Sequence, residues 1–138
     1  MSKVNKNKNT ITITDIFNNK LYESVTAKTI KEAVEEAVAK KIDLFEANLF
    51  CADLSNSNLA NAEFSGANLR YANLNGANLS GANLISADLK KANLSGANLY
   101  SADLSGALLR WANLNGANLA NADFKDADFK NADLTEEF

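Results

Sequence analysis

The chain of 138 residues contains no histidine, no proline and a single cysteine. Without histidine it lacks the commonest general base and the commonest metal ligand of proteins. One cysteine excludes an intramolecular disulfide and a cysteine-based zinc site, and this usage fits a reducing compartment. Serine is abundant, but no histidine is present to activate it. The sequence therefore predicts no enzyme, with no catalytic residue, no cofactor and no metal site.

Long apolar runs are also missing. Residues 1–9 are rich in Lys and Asn instead of forming the apolar core of a signal peptide, and no segment approaches the ~20 apolar residues of a membrane-spanning helix. Hydrophobic residues nevertheless make up 46% of the chain, enough to build the core of one domain. We expect a cytoplasmic protein with no membrane partner, in which residues 1–9 are a disordered tail.

What the sequence has in abundance is a repeat of five residues. Eighteen units run from residue 47 to residue 136 without an insertion, and their consensus is Ala, then Asn or Asp (except at Glu63 and Leu108), then Leu, then two variable residues. The third position is always Leu or Phe, and the first is Ala in every unit but the one that begins with Ser57. The residues at the third position, which are predicted to form the core, are Leu49, Leu54, Leu59, Phe64, Leu69, Leu74, Leu79, Leu84, Leu89, Leu94, Leu99, Leu104, Leu109, Leu114, Leu119, Phe124, Phe129 and Leu134.

A period of five fits neither a regular helix nor a flat strand. Successive Leu residues would be about 140° apart on an α-helix and would alternate between the two faces of a strand. Within one unit, however, Ala and Leu share a face of an extended segment, and a corner after Leu brings the next unit into the same register. All six Gly residues stand at the second corner position, as turn geometry favours. The pattern predicts a coiled chain with Ala and Leu inside.

The repeat Ala-(Asn/Asp)-Leu-x-x resembles that of the pentapeptide repeat family and covers 90 of the 138 residues. The resemblance implies a right-handed quadrilateral β-helix with four units per coil, hence about 4.5 coils and a rod of roughly 22 Å if coils stack ~4.8 Å apart as strands do. It implies no functional residue, because the motif is architectural. Residues 20 apart would then stack, and Asn58, Asn78, Asn98 and Asn118 would form a column of mutually hydrogen-bonded amides.

Residues 10–42 precede the repeat and are predicted to cap its first coil. Alternating apolar residues over 11–25 indicate a β-hairpin. Thr29 and Glu32 form a capping box ahead of an amphipathic helix. Because the edge of an open β-helix invites aggregation, we expect the apolar face of that helix to cover the first coil near Leu44.

The expected organisation is a tail over residues 1–9, a hairpin and capping helix over 10–42, and an all-β solenoid over 43–138. Leaders of this kind precede the repeats of some bacterial and phage proteins that the chain resembles. Phe50 and Cys51 are unusually apolar for outward positions and are expected to be covered as well. Cys51 is therefore interpreted as a small buried hydrophobe and not as a nucleophile.

One face of the predicted solenoid differs from the other three. It collects five of the six basic residues of the repeat, its only Trp and one of its two Tyr. Such a mixture is typical of interface hot spots, and it is also typical of a solvated face on which aromatic rings pack over their neighbours. The candidate interaction residues on this face are Arg70, Tyr71, Lys90, Lys91, Leu108, Arg110, Trp111 and Lys130.

Three classes of non-enzymatic function are compatible with this sequence. The first is a binding or scaffold module that presents the basic-aromatic face to a protein partner. The second, implied by the family resemblance, is a DNA mimic that acts on a type II topoisomerase, which the modest acidity and short length of this repeat disfavour. The third is direct binding of a nucleic acid, which the basic face favours and the overall charge of −3 disfavours.

The C-terminal coil leaves two alternatives open. Phe138 closes the open coil as a lid in a monomer, or two C-terminal coils pair in a homodimer, as in the topoisomerase-directed proteins of the family. Six acidic and two basic residues over 121–138 oppose the dimer at low salt. We favour the dimer, because an uncovered edge over an apolar core is the larger liability.

Overall fold

A computed structural model describes residues 10–135 of the chain. The regular elements precede the repeat: an antiparallel hairpin of strand β1 (Ile11–Thr14) and strand β2 (Lys20–Ser24), followed by helix α1 (Ile30–Ala39). From there the chain consists of short extended segments and turns that alternate every five residues.

These extended segments form a solenoid held together by parallel β-bridges. Each bridge joins residues that are 20 apart, from Asn48 with Asn68 at one end to Asn113 with Asp133 at the other. One coil is therefore four units long, as the family resemblance implies. From Leu49 to Leu114 the N–H of each Leu or Phe donates to a carbonyl of the next coil, and from Asn68 to Asp133 the N–H of the residue before it donates to a carbonyl of the previous coil.

The corner after each Leu places one residue in the left-handed region. The second corner residue of every unit up to residue 131 has a φ between 55° and 68°, whether or not it is Gly. This conformation costs an L-amino acid roughly 1–2 kcal/mol, whereas Gly adopts it freely. At Gly76 a second reason applies, because a Cβ there would collide with Oδ1 of Asn56 in the preceding coil.

The Asn before each Leu has two roles. Its Oδ1 accepts the N–H two residues further on, as Asn78 does from Ser80 at 3.1 Å, and this bond fixes the corner. Its Nδ2 donates to the same position one coil earlier. The column predicted from the sequence is confirmed, with amide bonds of 3.4, 3.3 and 3.1 Å from Asn58 through Asn118. Asp can fill only the first role, because it has no donor for the neighbouring coil.

The Ala and Leu side chains fill the interior. All first and third positions of the units are buried from residue 47 to residue 114. In the last coil Leu119, Phe124, Phe129 and Leu134 are only partly buried, contrary to the expectation of burial throughout. The reason is that no further coil covers them within residues 10–135.

The solenoid begins one unit earlier than the repeat pattern indicates. Leu44 is buried, and its N–H donates to the carbonyl of Glu63 in the next coil at 3.1 Å. Ile42 stands where the other units have Ala, which conceals this unit in the sequence. The expected disordered tail at residues 1–9 and the expected lid at Phe138 lie outside the described residues.

The hairpin continues along the edge of the first coil. Asp15 and Ala47 form an antiparallel bridge. The N–H of Asn48 donates to the carbonyl of Thr14 at 2.8 Å, and the N–H of Ile16 donates to the carbonyl of residue 46 at 3.0 Å. Part of the first coil's edge is thus paired with the segment that follows β1.

Helix α1 begins with the capping interaction that the sequence indicates. Oγ1 of Thr29 accepts the N–H of Glu32 at 3.1 Å, and the Glu32 carboxylate in turn accepts the N–H of Lys28 at 2.7 Å. The carboxylate of Glu35 accepts the N–H of Asn58 at 2.8 Å and so contacts the first coil directly. The buried residues of the helix are Ala33, Val34 and Ala37.

Phe50 and Cys51 are not covered by this N-terminal segment, and the expectation that they are buried is wrong. Phe50 is 52% exposed, and Cys51 is exposed as well. Both stand at a corner, where side chains point away from the core, whereas the hairpin pairs with the flat edge that precedes them. Cys51 is therefore a surface thiol.

Glu36 ties α1 to the hairpin. Its carboxylate accepts hydrogen bonds from Ser24 Oγ and Tyr22 Oη, both at 2.6 Å, from Lys40 Nζ at 2.9 Å and from Thr26 Oγ1 at 3.2 Å. These bonds, first of all the one from Ser24, lower the pKa of Glu36 to about 2. The Tyr22 hydroxyl and the Glu36 carboxylate raise the pKa of Lys40.

The lowered pKa of Glu36 predicts a dependence of stability on pH. The ionised carboxylate stabilises the fold, so its contribution is present above the ordinary pKa of 4.5 and is lost as the pH falls toward about 2. The difference in free energy of unfolding between the wild type and Glu36→Gln should therefore shrink over this interval. Urea unfolding at several pH values measures it, with Glu23→Gln as the control for loss of a surface charge. A difference that does not change with pH contradicts the prediction.

Candidate interaction surface

The candidate residues of the sequence come together at one corner of the solenoid. The second corner residue of one coil donates its N–H to the carbonyl of the first corner residue in the next. The pairs are Tyr71 with Lys90 (3.1 Å), Lys91 with Arg110 (3.0 Å) and Trp111 with Lys130 (3.2 Å). With Arg70, these residues form one continuous line along the solenoid, which we name the basic-aromatic stripe.

Leu108 lies on the flat face beside the stripe. It stands where every other unit except that of Glu63 has Asn or Asp, and parallel bridges join it to Asp88 in one neighbouring coil and to Asp128 in the other. The apolar side chain thus lies between two carboxylates, and an Asp in its place would face an acid in each neighbouring coil. It also has no oxygen that could accept the N–H of Arg110.

Rings and cations alternate along the stripe. Phe50 packs edge-on against Tyr71, with 5.7 Å between ring centroids. Nζ of Lys91 lies 5.2 Å from the Tyr71 ring and 5.9 Å from the Trp111 ring, and the guanidinium of Arg110 lies 5.4 Å from the Trp111 ring. Each such contact contributes about 0.5–1 kcal/mol at an exposed site. Tyr71 remains 43% exposed and Trp111 remains 49% exposed, so both rings still offer surface to a partner.

Two carboxylates hold three of the cations in place. Oδ2 of Asp88 lies 3.1 Å from Nζ of Lys90 and 4.0 Å from Nε of Arg70. Oδ2 of Asp128 lies 3.3 Å from Nε of Arg110, an atom that is buried and forms no well-aligned hydrogen bond within the described part of the chain. Five cations against two carboxylates leave the stripe with a charge of about +3, on a chain whose net charge is −3.

The backbone of this corner is a feature that sequence reasoning missed. All six Gly residues occupy the other three corners, and none occupies this one. Tyr71, Lys91 and Trp111 are held at φ values of 59°, 59° and 57°, where an L-residue is strained and Gly is not. Bulky side chains thus stand at a backbone position that the other three corners fill with small or polar residues. Sequence reasoning missed this feature because it did not predict a left-handed backbone at the second corner position.

Two other kinds of site are absent over residues 10–135. This part of the chain holds no group of three or more His, Cys, Asp or Glu side chains that could bind a metal ion. In the same range, no helix has the length and apolar character needed to cross a bilayer. Ile85 and Tyr100 are exposed singly on other corners.

The family model of pentapeptide repeats matches the chain in overlapping segments, at residues 47–84, 62–100, 77–116 and 102–136. The chain belongs to the pentapeptide repeat family. The solved members of this family are right-handed quadrilateral β-helices, and the 20-residue bridges of the present chain fit that architecture. Pentapeptide repeat proteins are generally structural or binding proteins, not enzymes.

Several solved pentapeptide repeat structures are similar to this chain. The protein alr5209 from Nostoc PCC 7120 is 41% identical, with a TM-score of 0.66 over 80% of this chain and 88% of its own. Rfr23 from the cyanobacterium Cyanothece 51142 is 40% identical, with a TM-score of 0.66 over 67% of this chain and 64% of its own. QnrB1, a plasmid-mediated fluoroquinolone resistance protein, is 29% identical in a trypsin-treated form, with a TM-score of 0.55 over 58% of this chain and 39% of its own.

The chain thus spans less than two thirds of the length of Rfr23 and of QnrB1. No curated protein sequence matches it significantly.

The strained corner predicts that Trp111→Gly changes the stability little. Loss of the ring contacts is offset by relief of the left-handed strain, so the free energy of unfolding should change by less than about 1 kcal/mol. Leu109→Ala, two residues away and buried, should instead lose roughly 2–5 kcal/mol because it leaves a cavity in the core. Urea unfolding of both variants compares them. Equal losses would show that the Trp111 ring belongs to the fold and not to a free surface.

Proposed function

We propose that this chain is a non-enzymatic binding or scaffold module that presents the basic-aromatic stripe to a protein partner. The observation that carries the proposal is the retention of Tyr71, Lys91 and Trp111 in a strained backbone conformation that the other corners assign to Gly, Asn, Ser, Asp and Glu. Stability alone gives no reason for these bulky residues, whereas recognition by exposed aromatic and basic side chains does.

The charge of the stripe supports the same function. It carries about +3 on a chain of net charge −3, so an acidic partner is attracted to this face and repelled by the others. Asp128 positions Arg110 beside the Trp111 ring, and Asp88 pairs with Lys90 and Arg70. Cations that are already ordered lose less conformational entropy when a partner binds.

The solenoid supplies the frame. We propose that it consists of about 4.5 coils and that residues 10–42 act as the cap of its first coil. The cap is supported by the bridge between Asp15 and Ala47 and by the hydrogen bond from the Asn58 N–H to Glu35. A frame of this kind keeps the corner residues at fixed spacing, because the first corner residue is bonded to the previous coil and the second to the next coil.

A type II topoisomerase is the second candidate partner, and the similarity to the fluoroquinolone resistance protein QnrB1 favours it. In this reading the solenoid mimics DNA through its acidic faces, and the stripe is not needed. Against it, the outward middle positions of this chain are mostly Asn, whose amides are bonded to each other along the coil axis.

Capture of partners by matched variants tests the proposed function. Tagged wild type is compared with Arg110→Ser/Trp111→Gly, which places on the stripe the Ser-Gly pair found at other corners. The control is Tyr100→Ser/Ser101→Gly, which makes the same change on a different corner. Proteins bound by the wild type and the control should be absent from the stripe variant. Equal capture by all three contradicts the proposal, and stripe-independent capture of a topoisomerase supports the second candidate.

We also propose that two copies pair through the C-terminal coil. The partly buried side chains of this coil line an apolar depression of about 270 Å³, formed by Leu119, Phe124, Phe129 and Leu134. Two of its rings, Phe124 and Phe129, pack edge-to-face at 5.2 Å. Pairing would bury this apolar surface together with the open edge of the last coil.

Light scattering at increasing salt tests this pairing. Acidic residues such as Asp123, Asp126 and Asp133 repel each other across the dimer, and salt screens that repulsion, so the dimer should tighten as salt is added. The variant Phe129→Ser should remain a monomer at the same concentrations. A single-chain mass for the wild type at every salt concentration contradicts the pairing.

A further inference from the structure

We infer that the partner of the basic-aromatic stripe is an acidic amphipathic α-helix that lies along the stripe, parallel to the axis of the solenoid. This inference rests on the proposed function, because it specifies the chemistry of the partner for the same surface. Three properties of the stripe support it: the spacing of its cations, the spacing of its rings and the sign of its charge.

The cations recur once in every coil. Arg70, Lys90, Arg110 and Lys130 are the first corner residues of four successive coils, which are stacked by β-bridges. Strands stacked in this way are ~4.8 Å apart, so the four cations span about 14 Å. An α-helix rises 5.4 Å per turn, and three turns span about 16 Å. A difference of about 2 Å over the whole length is within the reach of Lys and Arg side chains.

An extended peptide fits this spacing less well. Side chains on one face of a strand recur about every 6.7 Å, so the mismatch with the coils reaches about 6 Å over the same three steps. A helix can therefore place one carboxylate beside each cation of the stripe, whereas a strand cannot keep that register. The carboxylates would recur at every third or fourth position of the helix.

The two rings of the stripe fit the same period. Tyr71 and Trp111 are two coils apart, a distance of about 10 Å along the axis. Residues seven apart on a helix are separated by about 10.5 Å. Two apolar side chains at positions i and i+7 can thus each contact one ring, with Lys91 between the rings at 5.2 and 5.9 Å from their centroids.

The charge distribution favours a peptide over a nucleic acid. The stripe contains Asp88 and Asp128 among its cations, and the chain around it is acidic. A continuous row of phosphates would face these two carboxylates. A helix can carry neutral or basic residues at the matching positions and acidic residues only where the stripe is basic.

Fluorescence of Trp111, the single tryptophan of the chain, gives a direct readout of binding to the stripe. The probe is a capped, Ala-based peptide of about 16 residues with Glu at i, i+4, i+7 and i+11 and two Leu seven apart on the adjacent row. A peptide of the same composition, rearranged so that its Glu residues no longer share a face, is the control. Single-stranded oligothymidylate is the nucleic-acid probe. Calorimetry repeats each titration independently of fluorescence.

We expect the amphipathic peptide to change the Trp111 emission and to bind more weakly as salt is added. The variant Lys90→Ser/Lys130→Ser keeps Trp111 and should weaken binding roughly five- to tenfold, since two ion pairs are lost. Lys125→Ser removes a cation from another corner and should leave the affinity unchanged.

Equal binding of the rearranged peptide, tighter binding of oligothymidylate, or no binding by either method overturns the inference. If the capture experiment still depends on the stripe, the proposed function stands and only the helical partner is wrong. If the capture does not depend on the stripe, the proposed function itself is wrong.

Discussion

Each unit turns the chain through a corner whose second residue has a left-handed backbone, and the remaining features of the solenoid depend on that turn. The turn returns every Ala and Leu to the inside after five residues. It also aligns the N–H groups of one coil with the carbonyls of the next, so that the parallel bridges between residues 20 apart can form. The Asn side chains then complete the arrangement, because one oxygen fixes the corner and one amide group joins the neighbouring coil.

The positions of each unit that build the fold thus differ from the positions that are available for recognition. First and third positions are packed in the core, and middle positions are engaged in corner and ladder bonds. The corner side chains contribute little to the core or to these bonds, so they can vary without altering the fold. Variation at one corner of this chain yields Arg70, Lys91 and Trp111 in a single line, and the coil spacing rather than any local motif sets the distances between them.

The coil length and the amide column could be expected because the family resemblance implies four units of five residues per coil, which stacks residues that are 20 apart. Features that depend on the ends could not. Phe50 was expected under the cap because apolar character alone does not show which way a corner side chain points. The partial burial of Phe124 follows from the absence of a following coil in the described range, which the repeat itself does not reveal. The stripe residues could be grouped from the 20-residue period, but their strained backbone needed coordinates.

Within the described residues the last coil has a neighbour on only one side, and this has a mechanical consequence for the stripe. In a stack of repeats, stability is approximately a sum over neighbouring coils, and a coil with one neighbour opens at a lower free energy than a coil with two. Lys130 belongs to the last described coil, whereas Tyr71 and Lys91 belong to coils bonded on both sides. Backbone amide hydrogens should therefore exchange slowly in the middle coils of the stripe and faster in the coil of Lys130. A ligand that spans the stripe would hold the last described coil to the middle coils. Hydrogen exchange of the amides in that last coil would therefore slow the most when the ligand binds.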